Sequence, residues 1–340
     1  MQRYFERKYV MRASKRMLTG ALICAALAGL LVTAPGSAKA AEKTICAGTG
    51  YSVENDGLKA GTEAARKARQ SLGKAEAKLV LVFGNHKGID QAKILEGVTS
   101  VFDANIVYGC SAYNAITQYG NAGSAGVLAL GGEIKVTAVL ADVKKGKTGY
   151  EDCGKKIGEG LKEAGKVKAD GKLVVLIGDC HVKNNDKVVK GILGVLGEKF
   201  PVVGAAACGG MTYSKGKLVG KLKNLGVLIT GKFRIGCSML NKGPADVHKN
   251  ELVAAAGQAF KNAVGDDKDK TALVFAFDCG GRRGRMGKDR PDELKVMQAV
   301  VGKDMPIIGF YGSGEMGIKD KGSPACGDGY HISACAIKTK

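Results

Sequence analysis

Three runs of aliphatic and β-branched residues recur along the chain: KLVLVFGNHK from Lys78, KLVVLIGDCH from Lys172 and TALVFAFDCG from Thr271. Each reads as a buried strand ending in polar residues. Apolar residues at spacings of three and four precede the second run (Cys153, Ile157, Leu161, Ala164) and the third (Leu252, Val253, Ala256, Phe260, Val264), and predict helices. A second helical pattern follows each run: Ile94, Leu95, Val98 and Phe102; Val188, Val189, Ile192, Val195 and Leu196; Leu294, Met297, Val300 and Val301. Then comes another apolar strand, NIVYGCS, FPVVGAA or MPIIGFY, with Gly109, Gly204 and Gly309 at matching places.

The first two copies continue alike, AGVLALGGEIKV from Ala125 and LGVLITGKFRIG from Leu225, each reading as two strands joined near Gly131 or Gly231. The third closes with one strand, GYHISACAIK. The expected fold is therefore α/β: a layered sandwich of mixed β-sheets with outer helices, built from two full α-β-α-β-β-β repeats and a truncated third. Leu79, Leu173 and Leu273 should occupy equivalent buried strands. Strands separated by one helix tend to be parallel neighbours, and ligands bind outside the carboxyl ends of such strands. Those ends carry Asn85 and His86, then Asp179, Cys180 and His181, then the stretch from Asp278 to Arg283.

The first forty residues stand apart from this repeat. Six Lys/Arg from Arg3 to Arg16 precede 15 apolar residues, Leu18 to Val32, and Ala38-Lys39-Ala40 offers a small-residue cleavage site. This is a signal-peptide pattern, and the apolar run is short of the roughly 20 residues of a membrane span. Cys24 lies inside the apolar run, without the small preceding residue that a lipidation site wants. Cleavage before Ala41 leaves 300 residues in a periplasmic or secreted protein. The domains expected are the leader 1–40, a region 41–245 holding the first two copies, and a region 246–340 holding the third.

Without the leader's seven basic and one acidic residue the net charge falls from +20 to about +14. Such a balance favours anionic partners, but the lysines are scattered, Trp is absent and aromatics are few. Stacking on bases has little support, and no nucleic acid partner is expected. Nine cysteines remain after the leader, an odd number, so at least one is free, metal-bound or joined to another chain.

The third copy carries a further resemblance. FDCGGRRGRMG from Phe277 and MPIIGFYGSGEMG from Met305 resemble the C-terminal half of FIST domains: a strand ending in Cys with Gly-Arg soon after, then a Pro-led strand ending in Gly-Phe and a Gly-Glu pair. LVLVFGN and IVYGCSA resemble the N-terminal half, so the likeness runs from Leu79 to Lys340. The family's closing strand shows His followed closely by Thr, approximated here by Tyr330-His331-Ile332-Ser333. FIST domains are bacterial sensory modules proposed to bind small ligands such as amino acids, so the resemblance implies a small-ligand sensor. The expected export and the lack of an output domain depart from the family's usual fusion to signalling outputs.

The expected site is an anion pocket. Glycines after a strand let N–H groups face one concavity, and Arg forks bind carboxylate bidentately. Cys279, Arg282, Arg283, Gly312, Gly314, Glu315 and His331 are its candidates, with Glu315 placed to meet an amino acid's ammonium. Arg282 and Arg283 are expected on an exposed, flexible turn. Secondary candidates are Asn85, His86, Cys110, Asp179, Cys180 and His181. The ligand expected is anionic or zwitterionic, with no cofactor and no metal. The cysteines leave other readings open: disulfides such as Cys180–Cys208 and a local Cys326–Cys335, a Cys/His metal site, or an enzyme using a Cys279 thiolate with His181 or His331. No phosphate loop, serine elbow, HExxH or paired catalytic carboxylates appear.

Overall fold

The repeat read from the sequence is realised as three units that lend strands to one another. The structure is a computed structural model and describes residues 44–144, 146, 148–179, 183–241 and 248–340. The expected leader, Cys180 and His181 lie outside the described residues.

The first unit runs β1 (Ile45–Ser52), α1 (Gly57–Leu72), β2 (Ala77–Asn85), α2 (Gln91–Thr99), β3 (Val107–Ala112), a short hairpin β4 (Ala115–Thr117) and β5 (Gly120–Gly123), and β6 (Ala125–Gly132). The second repeats this order: β7 (Ile134–Asp142), α3 (Gly149–Lys166), β8 (Gly171–Gly178), α4 (Lys183–Leu196), β9 (Val202–Ala206), β10 (Thr212–Ser214), β11 (Lys217–Gly220) and β12 (Lys223–Gly231). The third has β13 (Arg234–Asn241), α5 (Lys249–Val264), β14 (Thr271–Cys279), α6 (Gly280–Met286), α7 (Arg290–Val301), β15 (Ile307–Gly312), β16 (Glu315–Gly317), β17 (Cys326–Asp328) and β18 (His331–Lys338).

The mixed α/β class with outer helices is as expected, but the third unit is not truncated. The strand missing from its end has its counterpart at the other end of the chain: β1 flanks β6 as β7 flanks β12 and β13 flanks β18. Counted from this leading strand, every unit is complete. The short hairpins, too brief for a period-two signal, also escape the sequence pattern.

Three six-stranded sheets result, ordered β1-β6-β2-β3-β10-β11, β7-β12-β8-β9-β16-β17 and β13-β18-β14-β15-β4-β5. In each, the central pair joined by a helical crossover is parallel, and the neighbouring strands are antiparallel. Each hairpin leaves its own unit: β10–β11 completes the first sheet, β16–β17 the second and β4–β5 the third.

Alternation along the strands serves two cores. Leu79, Leu81 and Phe83 of β2 face a central apolar core, joined there by Leu173, Val175 and Ile177 of β8 and by Leu273, Phe275 and Phe277 of β14. Leu79, Leu173 and Leu273 thus occupy equivalent places, opposite Leu130, Ile229 and Ile337. Val80 and Val82 face outward against α1 and α2. The second sheet buries its outer face under α3 and α4, and the third under α5 and α7. Burial on both faces explains the unbroken apolar runs. Helix starts follow local chemistry: Asp56 caps α1 through the Lys59 N–H, Asp90 caps α2 through Ala92 and Lys93, and α7 begins with a proline in its first turn.

At the carboxyl ends of the parallel strands, main-chain hydrogen bonds link the units in a ring. Tyr113 donates to Tyr311 and Tyr311 to Asn114; Cys208 donates to Ser111 and Ser111 to Met211; Ser313 donates to Ala206 and Ala206 to Gly314. Just before this ring the matched glycines lie against the paired strand. A Cβ on Gly204, at φ 154°, would stand 1.8 Å from the Leu176 carbonyl oxygen. Gly204→Ala should therefore lose at least about 1–3 kcal/mol of unfolding free energy. Gly194→Ala, on α4 with nothing within 4 Å of the new methyl, should gain up to about 1 kcal/mol. Urea midpoints of the two variants, moving in opposite directions, check this; an unchanged midpoint for Gly204→Ala would refute it.

Candidate functional site

The stretch after β14 is a helix, not the flexible turn expected. Cys279 caps α6, its Sγ accepting the Gly281 N–H at 3.3 Å. The two glycines serve close packing: a Cβ on Gly280 would stand 2.3 Å from the Tyr113 ring, and one on Gly281 3.0 Å from the Tyr330 ring. Helical geometry then separates the neighbouring arginines by about 100°. Arg282 falls one turn beyond Asp278 and points inward; Arg283 points toward the first unit.

Arg282 is fully buried, which corrects the expectation of an exposed ligand contact. Its Nε donates to Asp278 Oδ1 at 2.7 Å, and its Nη2 to Glu293 Oε1 at 3.2 Å and to the Leu252 carbonyl at 2.9 Å. Burial opposes its charge, but Asp278 and Glu293 outweigh that and hold the guanidinium above its ordinary value. Tyr311 donates its hydroxyl to Glu293 Oε2 at 2.6 Å.

Glu315 opens β16 and does lie beside Cys279, as the neighbouring strand ends imply: its charge helps to raise the thiol. It is nonetheless fully buried, with Oε2 accepting the His331 N–H at 3.1 Å. Burial, then the charge of Asp278, pushes its carboxyl well above the usual range, and the same two causes raise Glu293. One guanidinium shared among three buried carboxyl groups leaves both glutamates held above their ordinary range. Glu315 is therefore not the ready counter-charge for an ammonium that the sequence suggested.

Arg283 is only half-buried. Its Nε donates to Asn114 Oδ1 at 2.8 Å, and its guanidinium carbon lies 5.9 Å from the Tyr311 ring centroid. Among the described residues no carboxylate pairs with it. Burial, then the like charge of Arg290, lowers it from its ordinary value. Cys208 and Ser313 stand nearby: the Cys208 thiol contacts the Tyr311 carbonyl at 3.3 Å and Ser313 Oγ at 3.4 Å.

Two family models match the chain, the FIST N domain over residues 78–239 and the FIST C domain over residues 244–318. The chain belongs to the FIST family. FIST domains are small-ligand-binding sensory domains. No curated protein matches this FIST chain. Among solved structures it is similar to a cyanuric acid hydrolase, at 10% identity over 87% of this chain and 100% of the other, TM-score 0.46. A second cyanuric acid hydrolase, from A. caulinodans, has 11% identity over 87% and 100%, TM-score 0.43. Likenesses this distant say nothing of activity.

The remaining candidates of the FIST chain divide. Gly312 and Gly314 build the junction: a Cβ on Gly312 would lie 2.7 Å from that of Ala205, and Gly314 accepts from Ala206. His331 is buried, with Nδ1 2.6 Å from the Gly329 carbonyl and Nε2 3.7 Å from Asp328 Oδ2; burial lowers it. Cys279 is pushed up to about 12 by burial and the charge of Glu315, and Cys208 to about 12 by burial. A nucleophile needs the thiolate, so neither is poised for covalent catalysis, and the ring nitrogens of His331 engage Gly329 and Asp328.

His86 packs edge-on to Tyr113 at 5.0 Å, with Nδ1 3.0 Å from the Ala112 carbonyl. Asn85 caps the following turn through the Lys87 N–H. Asp179 bonds Asn224, and Cys110 sits in the central core. The expected Cys326–Cys335 disulfide is absent: Cys335 faces Cys237, and Cys326 is free. Cys208, the expected partner of Cys180, is likewise a free thiol. No helix among the described residues is long and apolar enough to cross a membrane.

Tyr113, Asn114, Ser313 and Glu293 were missed. Tyr113 and Ser313 stand four residues after Gly109 and Gly309, as Cys208 does after Gly204, so the repeat itself held that signal.

Removing Arg282 strands buried carboxyl groups. Arg282→Ala should cost about 3–5 kcal/mol of stability or prevent folding, whereas Arg283→Ala should stay within about 1 kcal/mol. Chemical denaturation of both variants decides this, and equal losses would refute the assignment. A second expectation concerns pH. Glu315 is raised in the folded chain, which therefore holds this proton to higher pH than the unfolded chain does, so the group's contribution to stability falls as pH rises above its ordinary value of 4.5. Glu315→Gln removes this titration and should flatten the fall as pH rises above the ordinary carboxylate range; denaturation curves with wild-type slope would overturn this.

Proposed function

We propose that this FIST chain is an exported binding or sensory protein for an anionic or zwitterionic metabolite, an amino acid being the best-matched class. The ligand sits at the carboxyl ends of β14 and β15. Export rests on the leader pattern of residues 1–40.

The observation that carries the reading is Arg283. A half-buried guanidinium without a carboxylate among the described residues is an electrostatic vacancy for an anion. With Nε held by Asn114, the two Nη nitrogens suit a bidentate carboxylate. Its neighbour Arg282, anchored through Nε and Nη2 to Asp278, Glu293 and the Leu252 carbonyl, gives α6 a rigid base. Tyr113 supplies an aromatic wall, with the Lys87 ammonium 6.0 Å from its centroid adding positive charge that favours an anionic ligand group. Cys279, Ser313 and Cys208 contribute uncharged walls. A cavity of about 630 Å³ lined by Ile45, Thr271, Lys303 and Pro306 lies instead at the amino-terminal ends of the strands, where no buried charge awaits a partner.

A thermal-shift panel of amino acids and organic acids tests this. A ligand at 100 times its dissociation constant adds about 2.7 kcal/mol of stability. Arg283→Ala should weaken binding about ten- to a hundred-fold, the worth of one charge-assisted hydrogen bond. A panel without a hit, or an Arg283→Ala protein that binds as tightly as wild type, would refute the reading.

A further inference from the structure

Cys237 and Cys335 lie directly opposite each other on the antiparallel strands β13 and β18. Their sulfurs stand 3.1 Å apart. Directly opposed residues of an antiparallel pair have Cα atoms about 4.5–5.5 Å apart, inside the range that a disulfide spans. Bond formation needs only that the sulfurs close by about 1 Å, which side-chain rotation supplies. Cys335 is buried in the central core, whereas Cys237 is half-buried on β13, the edge strand of its sheet. Cys237 also borders a surface cavity of about 620 Å³ beside Ser238, Asn262 and Lys338.

We infer that Cys237 and Cys335 are an oxidation site, joined as a cross-strand disulfide by exchange with an external disulfide. The oxidant is a low-molecular-weight disulfide or an oxidised dithiol protein. Cys237, the more accessible thiol, loses its proton and attacks that disulfide, releasing one thiol and forming a mixed disulfide. Cys335 then attacks the Cys237 sulfur and displaces the second thiol. Two protein thiols are oxidised and one external disulfide is reduced to two thiols, with no other reactant.

The position gives the bond a consequence. The partners are 98 residues apart in sequence, so the crosslink encloses nearly the whole third unit, from the strand that enters it to the strand that closes it. It clamps β18, whose first residue His331 donates its N–H to buried Glu315. The inference is independent of which ligand the site takes.

The test uses the purified full chain incubated with oxidised glutathione, alkylated without reduction, digested and mapped by mass spectrometry. The expected result is a Cys237–Cys335 crosslink. Fragmentation between Cys326 and Cys335 distinguishes the two cysteines of the C-terminal peptide. Reduction should lower the melting temperature of the wild type by about 5–15 °C, the scale for closing so long a loop. The Cys237→Ser protein should show no such response. Recovery of both cysteines as alkylated thiols after oxidation overturns the proposal, as does a crosslink to Cys326.

Discussion

Where the three units meet, each strand end finds its backbone partners on another unit: Ser111 on Met211, Ala206 on Gly314 and Tyr311 on Asn114. The donors Ser111, Ala206 and Tyr311 are buried, and a buried amide left unpaired costs about 1–3 kcal/mol. The exchanged hairpins follow from the same need, because each leaves the ring and pairs with the sheet it has just joined. No unit can satisfy its own backbone alone. The candidate site inherits this arrangement: Asn114 comes from the first unit, Cys208 from the second, and Cys279 and Arg283 from the third.

Within the third unit, two adjacent arginines do opposite work because a helix turns between them. Arg282 completes a buried charge cluster that positions α6 and β15 through Asp278, Glu293 and Tyr311. Arg283 faces outward with its charge uncompensated among the described residues. Burial raises both glutamates, so the cluster is both a support and a source of pH sensitivity. The same burial raises the Cys279 and Cys208 thiols.

The long strands and helices were legible because burial on both faces writes continuous apolar runs, and because the run recurs three times with its glycine in place. β1 was not legible: ICAGTGYS is short on large apolar residues, since α1 packs its alanines close against the strand. The three-residue hairpin strands carry no periodic signal at all. At the site, the closeness of Cys279 and Glu315 followed from adjacent strand ends. The fate of Arg282 did not, because GGRRGR reads as a turn when its glycines are taken for freedom. Here they make room for Tyr113 and Tyr330. Cys335 could not be paired from spacing, since Cys237 lies 98 residues away on the strand that opens the same unit.

The place of β1 has a topological consequence. β6 runs into β7 and β12 into β13 through tight turns, and β18 ends where β1 begins, Thr339 and Ile45 bordering the same cavity. The path of the backbone is thus a nearly closed loop, interrupted at one of three equivalent points. A circular permutant that bridges Lys340 to Thr44 and opens the turn between Gly132 and Ile134 would leave every sheet, hairpin and ring contact in place.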